Sequence, residues 1–63
     1  PPGPWTFGAD EELDALWVRC ERGSGAACDE LFDRSPLSSD YETFGATCGN
    51  RGAEPECAPV YPG

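Results

Sequence analysis

The segment Asp10–Phe32, DEELDALWVRCERGSGAACDELF, reads as two short helices folded against each other. Asp10 is placed to cap the first helix, and Glu11 and Glu12 suit the positive end of a helix dipole. Leu13, Leu16, Trp17 and Cys20 follow at i, i+3, i+4 and i+7, which lines up one apolar stripe over residues 10–21. Arg19 and Arg22 fall at the negative end, and Gly23 supplies the left-handed residue on which such helices stop. Ser24 can then cap a second helix running to about Arg34, with Ala26 and Ala27 as strong helix formers. Cys28, Leu31 and Phe32 share its apolar face. Ser35-Pro36 closes it, because proline disfavours helix in the residue before it.

Outward from this hairpin, Ser39-Asp40-Tyr41-Glu42 matches a capping box, in which a serine and a glutamate three residues later each satisfy the other's backbone donor. A third helix is expected from Ser38 or Ser39, with Tyr41, Phe44, Gly45 and Cys48 on one face and Gly49 at its end. A glycine inside a helix costs about 1 kcal/mol against alanine. Gly45 therefore predicts either a second backbone passing close by or a break in the helix. Beyond the helices the chain changes character. Residues 1–8, PPGPWTFG, hold three prolines that favour extended backbone and read as the end of a linker, with Trp5 and Phe7 available to pack back on the domain. Residues 50–63 are rich in Gly, Pro and Glu and read as irregular chain held by Cys57, with 59–63 frayed. The expected fold is all-α: a small disulfide-stapled three-helix domain over 9–58 with Pro/Gly-rich irregular termini.

A chain of 63 residues is one domain at most. It buries only about 60% of the surface its unfolded form exposes, so its core is thin and staples are expected. The net charge is −8, from twelve acidic residues against four arginines, with no lysine or histidine. That balance excludes the clustered cations that nucleic acids and anionic membranes require. It is compatible with a basic protein or peptide partner or a divalent cation, and it also keeps a small module soluble and monomeric. The chain contains no methionine, so it is expected to be a processed product or a piece of something longer. No apolar run approaches the ~20 residues needed to span a bilayer.

The four cysteines decide the compartment. Seven residues separate Cys20 from Cys28 and eight separate Cys48 from Cys57. Structural zinc sites usually pair ligands two to four residues apart and often add histidine, so disulfides are the expected chemistry. Disulfides in turn imply an extracytoplasmic location. In an antiparallel hairpin Cys20 and Cys28 face each other near the turn, which favours Cys20–Cys28 with Cys48–Cys57. The rival, Cys20–Cys48 with Cys28–Cys57, closes loops of about thirty residues rather than about nine and gains only ~1 kcal/mol more per bridge on the chain-entropy model. Both pairings remain open at this level, with the local one preferred.

The motifs Ala27-Cys28-Asp29-Glu30-Leu31, Ser35-Pro36 and Ser39-Asp40-Tyr41-Glu42-Thr43-Phe44-Gly45-Ala46-Thr47-Cys48-Gly49, followed by Arg51 and Cys57, resemble a short four-cysteine module of secreted or membrane-anchored actinobacterial proteins. The similarity covers about three quarters of the chain, from Leu13 to Cys57, and Asn50 stands where that pattern has glycine. Residues 16–32 also resemble, more loosely, the cross-linked hairpins of cysteine-rich Sel-type repeat proteins. The first resemblance implies an accessory domain of a larger extracytoplasmic protein, sometimes beside a peptidase-like neighbour, and implies no ligand.

The densest cluster of distinctive residues surrounds the end of the third helix. Glu42, Thr47 and Arg51, with Trp5, are the candidate recognition surface, Arg51 being suited to a partner's carboxylate. The same residues have structural uses, as a cap for Glu42 and an internal pair for Arg51. Trp5, Phe7 and Trp17 could present an aromatic platform, or could cover the core. Asp10 with Asp14 and Asp29 with Asp33 share helix faces and read as solvated surface, since a catalytic pair needs a cleft and opposed pKa values. With no histidine base, no metal spacing and little volume for a cleft, no enzymatic activity and no cofactor are expected. The expected function is a non-catalytic extracytoplasmic module contacting an unknown protein or peptide. The alternatives are an accessory domain of a neighbouring enzyme such as a peptidase, or a structural cap or spacer.

Overall fold

A computed structural model describes residues 6–63, and Trp5 with the residues before it lies outside them. Helix α1 spans Glu11–Glu21, α2 Gly25–Arg34 and α3 Asp40–Ala46. Each starts where the sequence places a cap. The side chains of Asp10, Ser24 and Ser39 accept from the backbone N–H groups of Leu13 (3.0 Å), Ala27 (3.2 Å) and Glu42 (3.1 Å). The capping box at α3 closes differently from the expected form. Glu42 Oε1 accepts from Ser38 N at 2.9 Å rather than from Ser39 N, which is taken by the Pro36 carbonyl at 3.2 Å. Ser38 adopts φ 65° to make that turn.

Helix α2 packs against both α1 and α3, which meet each other less. The core holds Leu13, Leu16, Ala27, Leu31, Tyr41 and Phe44 together with all four cysteines. Trp17 lies half-buried against it, stacked on Phe44 with ring centroids 3.8 Å apart and edge-on to Tyr41 at 5.8 Å. Gly45 behaves as its place in a helix predicts. A Cβ there would lie 2.8 Å from both the Cys28 carbonyl oxygen and the Phe32 nitrogen, so α3 rests on the backbone of α2. That close crossing corrects one expectation. Phe32 does not face inward but is 45% exposed, because the helices leave no space between them for a ring at this point.

A second correction concerns the end of α3. The helix stops at Ala46, and Cys48, Gly49 and Asn50 all take left-handed backbone, with φ 54°, 69° and 65°. Gly49 N donates back five residues to Phe44 O at 2.8 Å, the bond of a glycine-terminated helix. Thr47 competes for the last carbonyls, its hydroxyl donating to Thr43 O at 2.9 Å. Cys48 is therefore a turn residue, aimed inward by the turn rather than by helical spacing.

The bridges are Cys20–Cys28 and Cys48–Cys57, with Cα–Cα distances of 4.7 and 5.6 Å. The local pairing holds, and it makes the whole a disulfide-stapled all-α domain. The C-terminal residues, expected to fray, are instead docked. Gly25 N, an unpaired donor of the first turn of α2, finds the Tyr61 carbonyl at 2.7 Å. Ser24 and Pro62 form an isolated antiparallel bridge, and Tyr61 packs on the core. The Asp29 carboxylate accepts from Cys57 N at 2.6 Å and Ala58 N at 3.0 Å, tying the start of this tail to α2.

Candidate functional site

The residues singled out from the sequence do not form one free surface. Glu42 spends its carboxylate on the Ser38 N–H at one end of α3. Thr47 sits at the other end, where its hydroxyl bonds the Thr43 carbonyl and accepts from Asn50 N at 3.1 Å. Arg51 meets no carboxylate. Its guanidinium donates to the carbonyls of Cys20 (3.1 Å), Cys48 (3.1 Å) and Glu21 (2.8 Å) and lies 5.7 Å from the centre of the Tyr61 ring. A cation on the carbonyl end of α1 satisfies acceptors that the helix leaves open and suits its dipole. Arg51 thus locks α1, the turn after α3 and the tail together, a role the sequence does not disclose. Trp5 lies outside the described residues. Phe7 does pack back, edge-on to Trp17 at 5.5 Å, while Phe44 stacks on that indole, so Trp17 is a joint between helices rather than an open platform.

The polar centre of the fold is Tyr41, fully buried. Its hydroxyl donates to Asp14 Oδ1 at 2.6 Å and accepts from the N–H groups of Asp10 (3.0 Å) and Ala9 (3.2 Å). Asp14 also takes the Gly8 N–H at 2.9 Å. Far from being solvated surface, Asp14 anchors the chain leading into α1. Burial pushes the phenol's pKa above its ordinary value; the hydrogen bond to Asp14 adds to this, and the Asp10 and Ala9 N–H groups pull the other way. The unfolded chain therefore releases this proton first. The stabilisation it brings is intact below pH ~10 and falls away as pH climbs past it towards the folded-state value. Replacing Tyr41 by Phe is expected to cost about 1–3 kcal/mol at neutral pH, since it removes the hydrogen bond to Asp14 and leaves the Asp10 N–H without its acceptor. Urea titrations at rising pH should show the native protein losing stability above pH ~10 and the variant losing less. Parallel pH profiles would contradict the assignment.

Several shallow hollows mark the surface, among them ones beside Arg34 and Pro36 and beside Trp17 and Phe44. One, a depression of about 240 Å³, lies between α2, α3 and residues 54–57. Phe32, Gly45, Ala46 and Pro55 provide its apolar lining, and Asp29 and Glu54 are at its sides. It continues into a second hollow over Phe32 and Pro55 bordered by Asp33 and Glu56. No basic residue lines either part. No family model, characterised protein or solved structure matches this chain. All four sulfurs are committed to bridges, and no group of three or more Cys, Asp or Glu side chains converges on a point among the described residues. No helix among them is long and apolar enough to cross a membrane.

The depression is smaller than the ~300–1,000 Å³ of usual small-molecule pockets. Its size suits one side chain of a larger partner. Two features of the sequence mark it. Phe32 sits at the edge of the α2 stripe, and Glu54-Pro55-Glu56 sets a stiff apolar residue between two acids.

Proposed function

We propose that this domain is a non-catalytic protein-interaction module of a secreted or membrane-anchored protein, and that the groove beside Phe32 is its contact surface. The observation that carries the reading is the exposure of an aromatic ring next to Pro55 on a wall anchored in advance. The Cys48–Cys57 bridge and the two hydrogen bonds to Asp29 pin the Cys57 end of that wall before any partner arrives. Preset walls spare a binding event the entropy of ordering a loop. The bridges themselves belong to an oxidising compartment, which supports a site of action outside the cytoplasm. The resemblance of Leu13–Cys57 to actinobacterial extracytoplasmic modules points the same way. The other groups that could suggest chemistry are spent internally: the Tyr41 hydroxyl is buried and fully bonded, and Arg51 serves backbone carbonyls.

The test is photo-crosslinking with the oxidised domain as bait in the extracytoplasmic fraction of its source cells, beside a Phe32→Ser variant. We expect at least one protein trapped by the native domain and lost with the variant. Equal trapping by both, or none by either, would count against the module and its surface.

A further inference from the structure

The groove's chemistry selects its occupant. Resting on the interaction reading above, we propose that it receives a short cationic segment of a partner protein, one apolar side chain lodged against Phe32 and Pro55 with Lys or Arg on either side. Three observations converge on this. The floor is apolar and shallow, because Gly45 and Ala46 add almost no bulk and leave the Phe32 ring as the main feature. The rim is acidic throughout, with Asp33, Glu54 and Glu56 around it and no cation in the lining.

The third observation is how the acids are used. Asp10, Asp14, Asp29 and Glu42 each hold a backbone or side-chain donor of the domain, and Glu30 pairs with Arg34 at 3.0 Å. Seven acids make no side-chain hydrogen bond or ion pair among the described residues: Glu11, Glu12 and Glu21 lie along α1 and Asp40 at the start of α3, whereas Asp33, Glu54 and Glu56 gather around the depression lined by Phe32 and Pro55. A partner's ammonium or guanidinium groups answer all three carboxylates. One of them can also lie over the exposed ring face, where aromatic rings attract cations. Complementary charge steers the encounter and rejects acidic partners, while the buried apolar side chain holds the complex. Anionic lipid and nucleic acid are repelled by the same rim.

The experiment pans a displayed library of random short peptides against the immobilised, oxidised domain, then titrates the enriched peptide into isotope-labelled protein. We expect the enriched sequences to place two or more Lys or Arg around one apolar residue. The amide shifts should centre on Phe32, Ala46, Glu54 and Glu56. Glu54→Lys with Glu56→Lys should weaken binding by about tenfold or more, as should Phe32→Ser, while Glu11→Lys with Glu21→Lys, an equal charge change outside the groove, should change it less than about threefold. All of these positions are exposed, so the variants keep the fold, which a melting curve verifies. Enriched peptides without cations, no enrichment at all, or equal weakening by both charge reversals would overturn the proposal. Cationic peptides that shift the Trp17 and Phe44 region instead would overturn it too, yet leave the domain an interaction module with another surface.

Discussion

Full reduction of the oxidised domain is expected to unfold it at room temperature. Each bridge closes a short loop, with sequence separations of 8 and 9. On the chain-entropy model each such loop is worth about 2.5 kcal/mol. Native domains hold roughly 0.05–0.15 kcal/mol per residue, which is about 3–9 kcal/mol for a chain of this length. Two bridges thus account for most of the total. The packing compounds the loss, because four of the ten buried core side chains are the bridged cysteines themselves. Circular dichroism melts with and without a thiol-free reductant measure the effect, and an unchanged midpoint after verified reduction would refute it. Removing one bridge at a time separates the halves. Cys48→Ser with Cys57→Ser should expose amides from the end of α3 into the tail to hydrogen exchange, and Cys20→Ser with Cys28→Ser should do so around the α1–α2 turn.

The second large effect reverses the sign that helix propensity alone would assign. Glycine to alanine inside a helix normally gains about 1 kcal/mol. At Gly45 the added methyl would meet the Cys28 carbonyl and the Phe32 nitrogen at 2.8 Å, both backbone atoms that cannot turn aside. At Gly25 it would press into the Cys57 carbonyl and lie 2.5 Å from the Tyr61 carbonyl oxygen. Overpacking of this kind costs about 1–3 kcal/mol and more where only backbone can yield. Gly45→Ala and Gly25→Ala are each expected to lower stability by about 3 kcal/mol, read as a fall in the denaturant midpoint at constant slope. Gly25→Ala should also free the tail, so protection at Val60 and Tyr61 should drop before the rest. A raised midpoint in either variant would mean that the close approaches do not exist.

The features readable from the sequence are those decided within a few residues. Asp10, Ser24 and Ser39 announce three helix starts because a cap needs only its own side chain and a donor three positions on. The short turn between Cys20 and Cys28 favours their bridge over the rival pairing without deciding it, and the structure has that bridge. Gly45 signals a close crossing by being a poor choice for a free helix. What escaped reading depends on partners about thirty positions away. The Asp14 bond to Tyr41 spans 27 residues, the Asp29 bond to Cys57 28, and the Arg51 bond to the Cys20 carbonyl 31. No local pattern distinguishes such carboxylates from solvated ones, so Asp14 and Asp29 read as surface and the tail beyond Cys57 reads as loose. The candidate site suffered in the same way. Glu42, Thr47 and Arg51 stand out as distinctive residues, and in the fold that distinctiveness is spent on capping and locking. Phe32 escaped because a helical stripe gives direction only to within a quarter turn, and the backbone of α3 took the place its ring would have filled.

The two covalent loops do not interlock, and this sets how the domain would answer a mechanical load. A pull on the chain at Gly63 first peels Pro62 from Ser24 and Tyr61 from Gly25. After six residues, or about 20 Å, the load reaches Cys57, and the bridge passes it to Cys48 just past the end of α3. A pull at Thr6 meets no covalent stop until Cys20 and must strip the Asp14–Tyr41 contact and then the turns of α1 one by one. Because tension crosses from Cys57 directly to Cys48, residues 49–56 lie off the loaded path, and the wall at Pro55 beside Phe32 carries none of the pull.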